Sequence, residues 1–215
     1  MATAPTPRRT RPLKRRRIIE RPRLFALLDQ SNARVRTLVA PAGYGKTTLA
    51  EQWVARADRR AVWYTARRAS TDVAALALGV ARTGSELVPG CDERLREHLR
   101  AVPNPGERVD VLAEILGEEL VGWGPDDWLV LDDYHELAAA PKAELFVEEL
   151  ITACPLQILI ASRQRPAWAS GRSILYGEIL ELDQSALAMD SREAAEVLAD
   201  RTAQSASGLV ALAKG

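Results

Sequence analysis

The sequence predicts an α/β domain in which helices cover both faces of a parallel β-sheet. Strand and helix signals alternate along residues 23–198, the order in which an α/β fold is built. The strand candidates are apolar almost throughout and lack regular polar alternation, which is typical of strands buried on both faces. A glycine-containing turn at residues 41–45 also separates the first strand from the helix after it.

Five strands and the helices between them account for most of the chain. The expected strands cover residues 34–40, 61–65, 128–132, 156–161 and 179–182. The expected helices cover residues 23–28, a segment starting at Lys46, two or three segments within 71–121, one between Pro141 and Pro155, and one opening at Asp190.

Spacing and capping signals justify the helices. Apolar residues such as Leu49 and Trp53 recur at helical intervals, and the clearest helix within 71–121 runs from Arg108 to Leu120 for the same reason. Asp190 with Glu193 three residues later forms a capping-box pattern, which marks the start of the last helix.

The charges are balanced in number but not in position. The chain has 29 basic and 29 acidic residues, and nine of the basic ones lie in residues 1–23 with a single acid, which leaves 20 basic and 28 acidic residues elsewhere. Residues 1–17 are rich in Pro, Thr and Arg and almost free of apolar residues. We therefore expect a disordered basic arm over 1–17 and folded structure from residue 18.

Composition excludes several classes of protein. Two cysteines and two histidines are too few for a disulfide framework and make a zinc site unexpected. No apolar run approaches the roughly 18 residues of a transmembrane helix, and the basic N-terminus lacks the apolar core of a secretory signal. A cytoplasmic location without membrane contact is therefore expected.

The strongest chemical signal lies between the first strand and its helix. Residues 40–47 read APAGYGKT and match the phosphate-binding P-loop pattern, with alanine in place of its first glycine. Small residues allow backbone N–H groups to surround a phosphate chain at a helix N-terminus. Lys46 is expected to contact the β- and γ-phosphates and the Thr47 hydroxyl to ligate Mg²⁺. The alternative is an ordinary glycine turn before a helix.

Two further strands end in polar residues. Residues 129–133 read LVLDD, so that Asp132 follows a buried strand as a Walker B acid does, holding Mg²⁺ partly through water. Asp133 is expected to orient the attacking water, and the alternative is a solvated Asp-Asp turn. Arg163 follows the strand at 156–161 and is expected to contact the γ-phosphate, the alternative being a surface ion pair.

These motifs together resemble the nucleotide-binding domain of MalT-like, large LuxR-type transcriptional regulators, which belong to the STAND class of signalling ATPases. Residues 39–53, 129–135 and 161–166 are similar to that family's P-loop, Walker B and sensor segments, and residues 19–24 resemble its motif near the adenine. The resemblance implies a P-loop NTPase sandwich whose sensor strand lies between the P-loop and Walker B strands. It also implies slow ATP turnover that times a signalling state.

The resemblance also divides the chain and names its site. It implies an NTPase domain over 18–184 and the start of a helical lid over 185–215, where residues 207–212 resemble the beginning of the next segment. Full-length relatives continue to a DNA-binding helix-turn-helix, which is not visible here, so we expect either a fragment or a stand-alone module. The expected catalytic residues are Lys46, Asp132, Asp133 and Arg163. The expected nucleotide-binding residues are Arg21, Ala42, Gly43, Tyr44, Gly45, Lys46, Thr47 and Thr48.

The sequence thus predicts a nucleotide switch that binds ATP or ADP with Mg²⁺ and self-associates in the ATP state. Two alternatives remain open from the residues alone, a dedicated ATPase and a non-hydrolysing remnant that acts as an interaction module. Nucleic-acid binding by the basic arm is a further possibility, and it would be independent of nucleic-acid sequence and sensitive to salt.

Overall fold

The computed structural model describes residues 19–57 and 59–198. The predicted arm of residues 1–17 and the segment 207–212 lie outside these residues. The chain divides into two compact units, one of them Glu20–Met189 and the other Met1–Ile19 with Asp190–Gly215. Within the described ranges, no helix is long and apolar enough to cross a membrane. The domain boundaries drawn from the sequence stay a prediction.

A five-stranded, all-parallel sheet is the centre of the larger unit. Its strands are β1 (Val35–Val39), β2 (Arg60–Thr65), β3 (Asp127–Asp132), β4 (Gln157–Ser162) and β5 (Ile179–Leu182). Their order across the sheet is β2-β3-β4-β1-β5, with parallel pairing throughout. Strand β4 therefore lies between β1 and β3, where the sequence resemblance implied that the sensor strand would lie.

Helices connect the strands, and those before residue 155 occupy segments expected from the sequence. The helices at Gly171–Leu175 and Gln184–Leu187 were not expected. In chain order the helices are α1 (Pro22–Gln30), α2 (Lys46–Arg56), α3 (Val73–Gly84), α4 (Glu93–Ala101), α5 (Val109–Glu119), α6 (Pro141–Ala153), α7 (Gly171–Leu175) and α8 (Gln184–Leu187). Pro22 and Pro141 begin their helices, as proline tolerates the first turn. The side chains of Asp72 and Asp183 cap α3 and α8 by accepting backbone hydrogen bonds.

Two apolar cores explain why the strands are apolar throughout. On one face of the sheet, Leu129 and Leu131 belong to a core that includes buried residues of α3, α5 and α6. Their neighbours Trp128 and Val130 belong to the core on the other face, with buried residues of α1 and α2. Alternate side chains of a strand point to opposite faces, so both sets must be apolar. The α/β P-loop sandwich predicted from the sequence is confirmed.

The predicted capping box is present in the smaller unit. The Glu193 amide donates to Asp190 Oδ1 at 2.8 Å, and the Asp190 amide donates to Glu193 Oε2 at 3.2 Å. A helical segment follows over residues 191–198. The two reciprocal hydrogen bonds satisfy N–H groups that the first turn of a helix leaves without partners.

Candidate functional site

The P-loop turn depends on two glycines whose backbone is left-handed. Gly43 has φ of +90° and Gly45 has φ of +74°, values that residues with a Cβ rarely adopt. A Cβ built at either position meets no atom within 4 Å, so conformation and not space requires glycine here. Gly45 immediately precedes α2, whose first amides therefore open toward the turn.

Lys46 is folded back over its own loop. Its Nζ donates to the carbonyl oxygen of Ala40 at 2.8 Å and to that of Pro41 at 3.0 Å. Both acceptors are neutral, and an anionic phosphate oxygen is a stronger partner for an ammonium group. Lys46 can therefore exchange loop carbonyls for phosphate without leaving the loop.

The predicted Walker B acid, Asp132, is hydrogen-bonded to a hydroxyl of the P-loop. Thr47 Oγ1 donates to the Asp132 carboxylate, at 2.9 Å from Oδ2 and 3.2 Å from Oδ1. Asp132 is 7% exposed, and its Oδ1 also accepts the Asp133 amide at 2.8 Å. A hydroxyl beside a carboxylate is an oxygen donor set that suits Mg²⁺, so these residues fit the ion that the resemblance implies.

The four predicted catalytic side chains are close enough for their charges to interact. The pKa of Lys46 is lowered first by burial and then by the positive charge of Arg163, whereas the negative charges of Asp132 and Asp133 act in the opposite direction. Charges interact this way only over short distances in a partly buried site. Strands β1, β4 and β3 are parallel neighbours, so the P-loop, the predicted Walker B turn and the predicted sensor segment follow them at the same edge of the sheet.

Arg163 is exposed, and within residues 19–57 and 59–198 no hydrogen bond or ion pair holds its side chain. The surface ion pair considered from the sequence is made instead by Arg165, whose guanidinium binds both carboxylate oxygens of Glu181 at 2.7 and 2.5 Å. Arg163 thus keeps all its donors for another partner, while Arg165 fastens the same loop to β5.

Arg21 joins the segment before α1 to the P-loop. Its guanidinium donates to the Tyr44 carbonyl at 3.4 Å and to the carbonyls of Leu187 and Ala188 at 2.9 and 3.0 Å. Gln184 reaches the loop as well, since its Nε2 donates to Tyr44 Oη at 3.0 Å. Gln184, the last residue of the predicted NTPase domain, therefore contacts the P-loop through Tyr44, and Arg21 links the P-loop to the first residues of the predicted lid. Of the remaining predicted binding residues, Ala42 is exposed and Thr48 is half-buried in the first turn of α2.

Sequence reasoning missed a group of contacts beside this site. Tyr134 Oη accepts a hydrogen bond from Trp168 Nε1 at 2.8 Å, and Glu144 Oε2 accepts one from the Ala167 amide at 2.9 Å. Burial raises the pKa of Tyr134 far above its usual range and that of Glu144 above 4.5. One signal was available, because Glu144 interrupts the apolar face of α6 at a position where a buried residue is expected. His135 is mostly buried as well, with 14% of its side chain exposed.

Known proteins include a relative whose alignment covers most of this chain. No family model matches the chain. Over 203 residues it is 27% identical to the HTH-type transcriptional regulator MalT of Cronobacter sakazakii, an alignment that covers 91% of this chain and 22% of that protein. The chain is similar to MalT. The similarity inferred from the motifs is therefore confirmed, and the chain spans about a fifth of this relative's length.

One solved structure shares the α/β architecture of this chain. The Aeropyrum pernix ORC1 protein in complex with DNA matches with a TM-score of 0.50 and 17% identity, covering 85% of this chain and 48% of that one. A DNA replication initiation factor matches with a TM-score of 0.43 and 14% identity, over 83% of this chain and 48% of that one. The ORC1 match supports the P-loop α/β fold.

Proposed function

We propose that this chain is an ATP-binding switch module that hydrolyses ATP slowly and acts as the NTPase part of a MalT-like regulator. The observation that carries the proposal is the direct bond between Thr47 and Asp132, two residues 85 positions apart in sequence. That bond joins a P-loop to a buried strand-end acid within range of Lys46 and Arg163, which is the charge arrangement that phosphoryl transfer needs.

Each side chain has a distinct role in this proposal. Lys46 leaves the carbonyls of Ala40 and Pro41 and binds phosphate oxygens, while Thr47 and Asp132 would hold Mg²⁺. The ion, when bound, supplies positive charge that offsets the charge of the phosphates. The Asp133 carboxylate, with 54% of its side chain exposed, is accessible to orient a water molecule for attack on the γ-phosphorus.

Binding is tested by comparing Lys46→Ala with Lys142→Ala in a fluorescent-nucleotide assay. Lys142 is a matched control, because its Nζ contacts only Glu107 among the described residues, at 3.0 Å. A charge-assisted contact to phosphate contributes about 1.5–3 kcal/mol, so Lys46→Ala should weaken ATP binding about 10- to 100-fold. Equal retention of ATP by wild type and Lys46→Ala would overturn the proposal.

Hydrolysis separates the switch from its alternatives. Asp133→Asn should keep ATP affinity and reduce phosphate release, because it keeps the size of the side chain and removes its negative charge. Turnover below about one per second fits a timing switch, and much faster turnover favours a dedicated ATPase. No ATP-dependent phosphate release by the wild type would favour the non-hydrolysing interaction module.

Self-association belongs to the same proposal. A nucleotide can bias assembly only if it binds the two states with different affinity. Light scattering of the chain with ATP and with ADP should therefore give a larger particle with ATP. Equal particle sizes with both nucleotides would remove self-association from the proposed function.

A further inference from the structure

The loop that carries Arg163 is fastened by side chains that the proposed function does not use. We call residues 163–170, between β4 and α7, the sensor loop. On one side, Arg165 binds Glu181 of β5. On the other side, Trp168 Nε1 donates to Tyr134 Oη at 2.8 Å, and the Ala167 amide donates to Glu144 of α6 at 2.9 Å.

Tyr134 stands next to the Asp132–Asp133 turn. Its side chain is fully buried, and its ring packs edge to face against Trp168, with 6.4 Å between ring centroids and an interplanar angle of 83°. The residue before it, Asp133, has a left-handed backbone with φ of +52°. A buried ring beside a constrained turn has little freedom, so the turn and the ring move together.

Arg163 itself depends on this loop for its position. Its side chain makes no bond within the described ranges, so its location follows from the backbone of the sensor loop alone. Strand β4 fixes that backbone up to Ser162. The next anchors on the Walker B side are the bonds of Ala167 and Trp168, and only the Trp168 bond leads directly to the residue after the two acids.

We propose that Tyr134 is a positioning residue, whose hydroxyl bond to Trp168 couples the Asp132–Asp133 turn to the sensor loop and thereby sets where Arg163 meets the γ-phosphate. This inference rests on the proposed function, because it requires Arg163 to distinguish ATP from ADP. A displacement of the acids on γ-phosphate loss is then transmitted through Tyr134 and Trp168 to the loop. Arg165 provides no such link, since Glu181 lies on the far side of β1.

The test measures dissociation constants for ATP and ADP and compares their ratio between variants. Tyr134→Phe and Trp168→Phe each remove one partner of the bond and keep an aromatic ring. Both should lower the preference for ATP over ADP about two- to tenfold, the range that one hydrogen bond supports, and leave ADP affinity unchanged. Trp123→Phe is the matched control, because it removes a tryptophan Nε1 bond of the same 2.8 Å length, made to the Asp127 carbonyl at the opposite end of β3.

A double variant shows whether the effect passes through Arg163. Arg163→Ala should lower the ATP preference, and adding Tyr134→Phe should then change it no further. An equal further loss in the double variant would overturn the inference, as would an equal weakening of ATP and ADP by Tyr134→Phe alone. A wild-type ratio in both Tyr134→Phe and Trp168→Phe would overturn it too, while leaving the proposed function intact if Arg163→Ala lowers the ratio.

An unchanged ratio in Arg163→Ala would instead remove the sensing role of Arg163 from the proposed function, and the inference with it. Thermal melting checks that each variant is folded. If Tyr134→Phe does not fold, Trp168→Phe carries the test, because Trp168 is only half-buried and its indole N–H can bind water.

Discussion

Replacement of Gly45 by alanine gives a quantitative test of the P-loop conformation. Gly45 has φ of +74° and ψ of +26°, and a Cβ at this position meets no atom within 4 Å. Steric overlap with neighbouring side chains is therefore absent, and the whole effect of the substitution comes from backbone conformation.

The magnitude follows from two opposing terms. A left-handed backbone costs alanine about 1–2 kcal/mol relative to glycine. Alanine also lowers the conformational entropy of the unfolded chain, which stabilises the folded state by about 0.4–1 kcal/mol. We expect a net loss of about 1 kcal/mol in the free energy of unfolding, or about fivefold in the folding equilibrium.

Two other glycines provide controls in the same chain. Gly177 has φ of +73° and equally open space around its Cβ, but it follows α7 and is not part of the P-loop. Gly171 also has open space but begins α7 without a left-handed backbone. Gly45→Ala and Gly177→Ala should both lose about 1 kcal/mol, whereas Gly171→Ala should be neutral or slightly stabilised.

Urea denaturation followed by tryptophan fluorescence measures these differences. With an m-value of about 2 kcal/mol/M, a loss of about 1 kcal/mol lowers the midpoint by about 0.5 M. Only Gly45→Ala should also weaken nucleotide binding. The reasoning is refuted if Gly45→Ala is as stable as Gly171→Ala, or if Gly177→Ala weakens nucleotide binding as strongly as Gly45→Ala.

Three further substitutions address the surrounding fold. Burial raises the pKa of Glu144 above its value in the unfolded chain, so the stability that protonated Glu144 contributes is fully present below pH 4.5 and is lost as the pH rises through the folded-state pKa. Glu144→Gln should therefore raise Tm at pH 7, and this gain should shrink toward pH 4. Arg36→Leu should cost about 2–4 kcal/mol in urea denaturation, because the buried guanidinium packs over two tryptophan rings and donates to the Leu28 carbonyl at 3.1 Å. Gly79→Ala should cost about 1–3 kcal/mol by the same assay, since its Cβ would lie 2.5 Å from Tyr64 Cε2, and Tyr64→Leu should restore part of the loss.

The sequence predicted the elements well because their signals are local. The residues that mark the start or end of the apolar strand at 128–132 and of the helix that begins at Pro141 lie within those segments themselves. The structure places both elements within a residue of the expected positions. The P-loop was equally local, since two glycines, a lysine and a threonine occur within five residues. The resemblance implied one feature of the strand order, the position of β4 between β1 and β3, and the structure confirms it, whereas the places of β2 and β5 were not predicted.

Contacts between distant segments were not predictable in the same way. The bond from Gln184 to Tyr44 joins residues 140 positions apart, and neither residue type by itself indicates the other. Tyr134 followed the two acids in the sequence but gave no sign that its hydroxyl would meet Trp168. Such pairs depend on how loops fold back over the strand ends, which neither propensity nor hydrophobic period encodes.

The position of β4 explains why these loop contacts are consequential for the site. Neighbouring strands are about 4.8 Å apart, so β1 and β3 are separated by about 10 Å with β4 between them. Thr47, carried by the helix after β1, and Asp132, at the end of β3, bond across that gap. Arg163 follows β4, the strand between them, and its loop is held on the β3 side by the bond from Trp168 to Tyr134. A displacement of Asp132 on loss of the γ-phosphate can therefore reach Arg163 by two short routes, the hydrogen bonds of the sheet and the Tyr134–Trp168 bond. Tyr134→Phe removes only the hydroxyl group of the second route and leaves the hydrogen bonds of the sheet in place. This substitution therefore tests the Tyr134–Trp168 bond alone.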